Sequence, residues 1–413
     1  MNAVVLKWYR CALGGLLAGL CAVALAAASP PAPPPLAQLL PSQLEQKGFW
    51  HFFNLEYGRA LQDFQELAKR RPWSAAVYNH IVQTRLYMEM YRIGALESQL
   101  YGHGNPFLKQ KLPPPNPAAM QAILHDNRHA LLLAQQVLAH HPHDAHARYN
   151  AAVAWAQRGT YDFVLRKAYF AALHDALRAR RQASLAEKYD PQFVDPRLIL
   201  GVQQYVAGSL PWTVKLVAHF VGYGGSKKKG IAEIKDVMAH GENARSDARV
   251  LLSVIYRRQG SNRQAVPLLR WLRQHYPRNV LFAVELAEAS EAAGLHNQAR
   301  QEYQAILARA AAHAPGYEKA PLDKVWYDLG GIDRLYSRWG AALADYRHAA
   351  QAPHAELRYR QAAELAAGQM QDMLGNRNAA LSAYRACLAL GSSPAAAAAQ
   401  RYLDHPYRLK QKS

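Results

Sequence analysis

The residues best suited to chemistry in this sequence are histidines that cluster at one turn. His140, His141, His143 and His146 surround Asp144 within seven residues, and imidazole and carboxylate groups are the usual ligands of zinc. An enzyme with a histidine-based metal site is therefore one hypothesis. The proline and aspartate of this segment favour another interpretation, a turn between two helices with Asp144 as the N-cap of the second. We expect the turn, with no metal ion and no other cofactor.

A glycine-rich basic segment, GYGGSKKKG at residues 222–230, has the composition of a phosphate-binding loop. A nucleotide-binding loop requires a Gly-Lys pair followed by Ser or Thr, directly after a strand. Here Ser226 precedes the lysines and no strand pattern precedes the segment, so the sequence excludes that function. HExxH, GxSxG, CxxC and the dinucleotide-binding glycine pattern are also absent. We therefore predict that the protein is not an enzyme.

The elements that must position any site are helices with a repeated spacing of small residues. In the segment Leu322 to Pro353, Ala342 follows Gly330 by twelve residues and Tyr346 follows by four more. This spacing predicts two antiparallel helices that approach closely where the small residues meet, with the tyrosine filling the space beside them.

The same unit recurs on both sides of this segment. Gly368, Ala380 and Tyr384 repeat the spacing downstream, and the second-helix positions Ala265 and Ala299 lie 34 residues apart, the period of the tetratricopeptide repeat (TPR). The pattern resembles that repeat. We predict an all-α fold, a TPR-type helix-turn-helix solenoid in which each repeat packs on its neighbours.

The chain divides into four segments. Residues 1–28 carry two basic residues, an apolar run and terminal alanines, the pattern of a secretory signal peptide, with a retained N-terminal membrane anchor as the alternative. Residues 29–42 are a Pro-rich linker. Residues 43–240 are predicted to be divergent N-terminal helical repeats with insertions, including a long second helix from Tyr161 to Lys188. Residues 241–413 are predicted to be C-terminal TPR repeats and a capping helix that follows Ser393.

An insertion interrupts one repeat between Gly201 and a second helix that begins near Lys229. Its sequence contains Leu210-Pro211, the run Phe220 to Tyr223 and Gly230-Ile231. In these residues the chain resembles the tetratricopeptide repeat protein 39 family and the related fungal inclusion-body clearance proteins. That resemblance implies a helical adaptor rather than an enzyme.

The apolar run of the insertion, Pro211 to Val221, predicts an inserted helix. It is too short to span a bilayer. It could pack into the concave side of the solenoid, or lie on a membrane surface with Trp212, Lys227, Lys228 and Lys229 as contacts to lipid or another anion.

Charge gives the best indication of partners. The formal net charge is +19, and without residues 1–28 the chain still has 47 basic against 30 acidic residues. A surface with this excess attracts anionic partners. An acidic protein or peptide segment, an anionic lipid or an envelope polymer fits an exported protein better than nucleic acid does.

The leading hypothesis is an exported, non-enzymatic TPR scaffold in the periplasm or cell envelope, which binds a protein or peptide partner in a groove lined by first helices. The predicted groove contacts are Arg257, Arg258, Lys324, Tyr327 and Arg334. The alternative is a peripheral membrane or anionic-polymer-binding protein that uses residues 211–229.

Overall fold

The structure, a computed structural model of the chain, describes residues 39–96, 112–209 and 224–409. Within these ranges the chain forms seventeen α-helices and one π-helical turn, and no β-strand. Residues 40–413 belong to one compact unit. The prediction of an all-α solenoid of TPR type is confirmed.

The helices follow one another with short connections. The first eight are α1 (Pro41–Phe53), α2 (Tyr57–Arg70), α3 (Ala75–Arg92), α4 (Pro117–His140), α5 (Ala145–Thr160), α6 (Tyr169–Tyr189), α7 (Pro196–Ser209) and α8 (Lys227–His240). The remaining nine are α9 (Arg245–Arg258), α10 (Asn262–His275), α11 (Val280–Ala292), α12 (His296–Ala311), α13 (Leu322–Leu335), α14 (Trp339–Gln351), α15 (Leu357–Met373), α16 (Arg377–Ala389) and α17 (Pro394–Asp404).

Each odd-numbered helix from α1 to α15 packs with the next helix as a pair, and α17 follows the last pair. The small residues lie where the paired helices cross. A methyl group added at Gly330 of α13 would lie 2.9 Å from the ring of Tyr346 in α14, and Ala342 and Tyr346 are buried beside it. The small residues whose spacing repeats in the sequence therefore lie where the paired helices cross.

Polar caps fix several helix starts. The Asp144 carboxylate accepts a hydrogen bond from the backbone N–H of Ala147 at 2.7 Å, and the Ser393 hydroxyl accepts one from Ala396 at 3.1 Å. The predicted cap at Asp144 is confirmed. The Cys387 side chain is fully buried in the core around α16.

The prediction of one long helix from Tyr161 to Lys188 is wrong. Residues Tyr161–Leu165 extend α5 as a π-helical turn, and α6 begins only at Tyr169. The chain reverses at Lys167, which has a left-handed backbone with φ of 55°. Because this turn contains neither glycine nor proline, the sequence lacks the usual signal of a helix end.

The predicted inserted helix and Trp212 lie outside the described residues. The helices on either side of the insertion, α7 and α8, approach more closely than side chains allow. A methyl group on Gly230 would lie 2.6 Å from the backbone nitrogen of Tyr205. In the described parts of the chain, no helix combines the length and the apolar character needed to cross a membrane.

Replacing Gly230 by alanine tests the close crossing of α7 and α8. The added methyl group meets backbone atoms that cannot move aside, so Gly230→Ala should lower the free energy of unfolding by about 1–3 kcal/mol. Gly331→Ala is the matched control, because its methyl group would meet no atom within 4 Å and alanine favours a helix by about 1 kcal/mol over glycine. Thermal denaturation of both variants checks the prediction, and equal midpoints would contradict the close crossing.

Candidate functional site

The inner helices of successive pairs enclose a cavity of about 390 Å³. Most of its wall is built by α1, α3, α5, α7, α9 and α11 and by adjoining turns, with Tyr57 of α2 and Leu269 of α10 beside them. First helices of the pairs therefore contribute most of this concave wall, and the predicted binding groove at these helices stays a prediction. A cavity of this size lies in the range that small ligands or single side chains of a partner occupy.

The helix α1 forms one wall of the cavity because it is bonded to the residues at the start of α11. Asn54 accepts a hydrogen bond from the backbone N–H of Arg278 at 2.8 Å, and Asn279 donates to the carbonyl oxygen of Phe53 at 2.7 Å. The Arg278 guanidinium forms an ion pair with Glu56 at 2.8 Å. We call these five residues the N-terminal clasp. Its two sides are more than 220 residues apart in the sequence.

Aromatic contacts reinforce the clasp. The ring of Phe53 stacks on Tyr276 with centroids 4.8 Å apart, and the Arg278 guanidinium lies 4.9 Å from the ring centre of Trp50. Leu55, at the turn after α1, packs against the hydrophobic core formed by α11 to α13. The helix α1 is therefore held as one wall of the cavity.

Asp247, in the first turn of α9, is the acidic group of the cavity whose charge is least balanced by hydrogen-bond donors and cations. Its only hydrogen-bond donor from another described residue is the Gln83 amide, at 3.3 Å. Burial, with a smaller contribution from the carboxylate of Asp195, raises the pKa of Asp247 to about 7. Asp195 itself is fully buried and caps the turn before α9 by accepting hydrogen bonds from Glu242 and Asn243.

Glu45 and Tyr149 are two further polar groups of the wall. His80 lies 2.9 Å from Glu45, and this hydrogen bond is the main reason why the pKa of Glu45 is lowered. Burial raises the pKa of Tyr149 well above its usual value, helped by the negative charges of Asp195 and Asp247. Tyr149 is therefore a neutral phenol at physiological pH.

Two amide side chains in the wall are only half satisfied. Asn79 donates to the carbonyl oxygen of Asn150 at 2.9 Å, and Gln157 donates to the carbonyl oxygen of Asn79 at 2.9 Å. Because only the amide nitrogen can donate, these bonds fix the orientation of both amides. Among the described residues, neither amide oxygen has a hydrogen-bond partner.

The predicted groove cations Arg257 and Lys324 meet on the inner helices beside the cavity. Arg257 forms ion pairs with Glu285 and with Glu288, the latter at 2.6 Å, and Lys324 forms ion pairs with Glu288 and with Asp328, the latter at 3.2 Å. Burial opposes the charge of Glu288, but the two cations outweigh it and lower the pKa of this carboxyl. Both predicted contacts are thus engaged in internal ion pairs.

The other predicted residues are placed apart from the cavity wall. Tyr327 packs against the rings of Tyr346 and Tyr359, Arg258 is half-buried and Arg334 is exposed. Lys227, Lys228 and Lys229 are exposed in the first turn of α8. A role in binding for these residues stays a prediction.

The histidines of the turn before α5 have separate partners. His143 lies against the ring of Tyr189 and His146 against Phe193, with centroids 4.5 and 4.3 Å apart. Across the described ranges, no three His, Cys, Asp or Glu side chains are placed to hold a metal ion together. Of this group His146 alone faces the cavity.

The chain is similar to several solved structures at low sequence identity. No family model matches the chain. No curated protein matches it. The crystal structure of the APC/C hetero-tetramer Cut9–Hcn1 matches 87% of this chain at 15% identity with a TM-score of 0.45, and the match covers 55% of the Cut9–Hcn1 chain, about half its length.

Two other solved structures match at a similar level. The Pseudomonas aeruginosa pilF protein matches 62% of this chain and 98% of its own at 16% identity, with a TM-score of 0.37. Yeast Tom70 matches 88% of each chain at 10% identity, with a TM-score of 0.34. Similarity at this level identifies no family, and the resemblance to the tetratricopeptide repeat protein 39 family stays a prediction.

The raised pKa of Asp247 predicts how stability depends on pH. Between its unfolded pKa near 3.8 and its folded pKa of about 7, the native state holds the proton more strongly, so this residue makes the free energy of unfolding fall as the pH rises. Asp247→Asn removes the charge. The variant should match the native chain near pH 4 and exceed it by about 1–3 kcal/mol near pH 8.

Thermal denaturation across this pH range measures the effect. Asp404→Asn, which changes an exposed carboxylate in the last helix, is the control and should leave the profile unchanged. A constant difference between Asp247→Asn and the native chain at every pH would contradict a buried, weakly compensated carboxyl.

Proposed function

We propose that this chain is a non-enzymatic binding module of TPR type that holds part of a partner in the cavity enclosed by its inner helices. The observation that carries the proposal is the cavity itself, whose wall combines residues from Glu45 to Glu285. A solenoid that served only as a spacer would not require the N-terminal clasp, which joins its first helix to the residues before α11.

The wall has the mixed character of a recognition site. Aromatic and aliphatic side chains such as Phe49, Tyr87 and Phe282 supply apolar contact, and Asp247 and Asn79 supply a few polar groups. Sites for ligands and anchoring side chains combine an apolar lining with a small number of polar groups that fix orientation. A protein or peptide that inserts one side chain, or a small molecule, would be held in this way.

Two further parts of the proposal concern the cellular compartment of the protein and the charge of its outer surface. The N-terminal segment supports export to the periplasm or cell envelope, either cleaved or as a retained anchor. The basic excess of the chain lies outside the cavity wall, where an acidic partner surface or an anionic envelope polymer would be attracted. The resemblance to the tetratricopeptide repeat protein 39 family supports the same adaptor role.

A second candidate function is binding to an anionic membrane surface. It is favoured by four exposed apolar residues on α6 and α7, which are Phe170, Leu173, Leu177 and Val206. These helices contact each other through Gln203, which donates to the carbonyl oxygen of Ala176 at 2.7 Å. Lys227 to Lys229 begin α8 close to the end of α7. Apolar side chains beside lysines are the usual composition of an interfacial contact.

Site-specific photo-crosslinking in cells of the native host tests both candidates together. A photoreactive phenylalanine replaces Tyr87 in the cavity wall, Phe170 on the exposed apolar side of α6, or Trp73 in the turn between α2 and α3. Phe170 and Trp73 are 92% and 70% exposed. We expect a defined adduct from position 87 and none from position 73, with the full chain in the periplasmic or envelope fraction.

Mass spectrometry of the adducts separates the outcomes. Lipid adducts from position 170 without any adduct from position 87 would replace the cavity proposal by membrane binding. Identical adducts from positions 87 and 73 would show non-specific contact and contradict a binding cavity. Recovery of the chain in the cytoplasm would contradict export.

A further inference from the structure

The charge of the cavity wall is opposite to that of the chain. The protein has 49 Lys and Arg residues, yet neither type is among the described residues that line the cavity. Three carboxylates, Glu45, Asp247 and Glu285, do line it. This wall disfavours an anionic ligand in the cavity, whatever the outer surface attracts.

One of the three carboxylates lacks a cation. Glu45 is paired with His80, and Glu285 is paired with Arg257. Asp247 has only the neutral amide of Gln83 as a donor from the other described residues. A positive charge brought by a ligand would supply the partner that this half-buried carboxyl lacks.

Two unpaired polar atoms of the wall also favour a cation over an anion. Asn79 and Gln157 are 2% and 9% exposed, and their amide oxygens have no partner among the described residues. Both oxygens accept hydrogen bonds and cannot donate them. Both oxygens are enclosed by protein atoms, so they add to the negative potential of the wall without contacting a ligand directly.

The rest of the wall suits the body of such a ligand. Phe49, Phe52, Tyr87, Phe193 and Phe282 contribute aromatic rings to the lining. The faces of aromatic rings attract ammonium and guanidinium groups, most strongly when water is excluded. Apolar walls also bind the methylene chain that carries such a group.

We propose that the cavity binds an organic cation, an ammonium or guanidinium group on an apolar chain, with Asp247 as its counter-charge and the aromatic rings around its body. This inference rests on the proposed function of the cavity as a binding site. The cation is either a free amine or a basic side chain presented by a peptide, and both share the same chemistry.

Isothermal titration calorimetry with small probes tests the assignment on the full chain. Hexylamine and agmatine represent free amines, and N-acetyl-lysine amide represents a peptide side chain. Hexanol and N-acetyl-norleucine amide are the neutral counterparts of hexylamine and N-acetyl-lysine amide with the same carbon chains, and hexanoate is an anionic counterpart. We expect the cationic probes to bind at least about 10-fold more tightly than their neutral counterparts.

Two variants test whether Asp247 supplies the negative charge that binds the cationic probes. Asp247→Asn keeps the shape and an oxygen for Gln83 but removes the negative charge, and it should weaken binding of the cationic probes by about 10-fold to 100-fold while leaving hexanol unchanged. Glu242→Gln removes an exposed carboxylate five residues away and should change nothing. Equal loss with both variants would indicate only a long-range charge effect and would overturn the role of Asp247.

The outcomes separate this inference from the proposed function. Tighter binding of hexylamine than of N-acetyl-lysine amide would assign the site to free amines, and the reverse order to a peptide. Equal affinity of cationic and neutral probes, or no binding of cations below about 1 mM, would overturn the cation assignment. A specific photo-crosslinked adduct at position 87 would still support the binding cavity in that case.

Discussion

The structure depends most on the N-terminal clasp, the contact between the end of α1 and the residues that precede α11. A linear solenoid packs each repeat only on its neighbours and has an open inner surface. Here the side chains of Asn54 and Asn279 each form a hydrogen bond with the backbone of the other segment, which joins the end of α1 to the residues that precede α11. Both asparagines are almost fully buried, so the loss of either bond would leave buried polar groups unpaired. That cost keeps α1 in place.

The packing of helices around the cavity changes the chemistry of the inner surface. Burial raises the pKa of Asp247 to about 7, and the oxygens of Asn79 and Gln157 have no partners among the described residues. Natural proteins rarely keep such groups buried without a role for them. The binding proposal and the preference for a cation both follow from this enclosure.

The sequence predicted the repeats well because the crossing of two paired helices is encoded locally. Gly330 and Tyr346 lie sixteen residues apart and contact each other directly. The clasp could not be predicted in the same way, because Asn54 and Arg278 are joined across 224 residues and neither residue type signals a long-range contact.

The candidate site was predicted only in part. Arg257 and Lys324 were correctly placed on inner helices, but their carboxylate partner Glu288 belongs to the helix between them and was not anticipated. Asp247 gave no signal of its own, because an acidic residue in the first turn of a helix is already explained by the helix dipole. Its importance arises from its position in the cavity wall, where Gln83 of α3 is its only hydrogen-bond donor from another described residue.

Hydrogen exchange measured by mass spectrometry on the native chain tests the enclosure most directly. If the clasp holds in solution, the amides of residues 41–53 and of Arg278 are protected together, and Asn54→Ala makes both segments exchange about 10-fold to 100-fold faster while residues 357–373 are unchanged. Rapid exchange of residues 41–53 in the native chain, with residues 280–292 still protected, would show that α1 is not fastened across the cavity and would contradict the account.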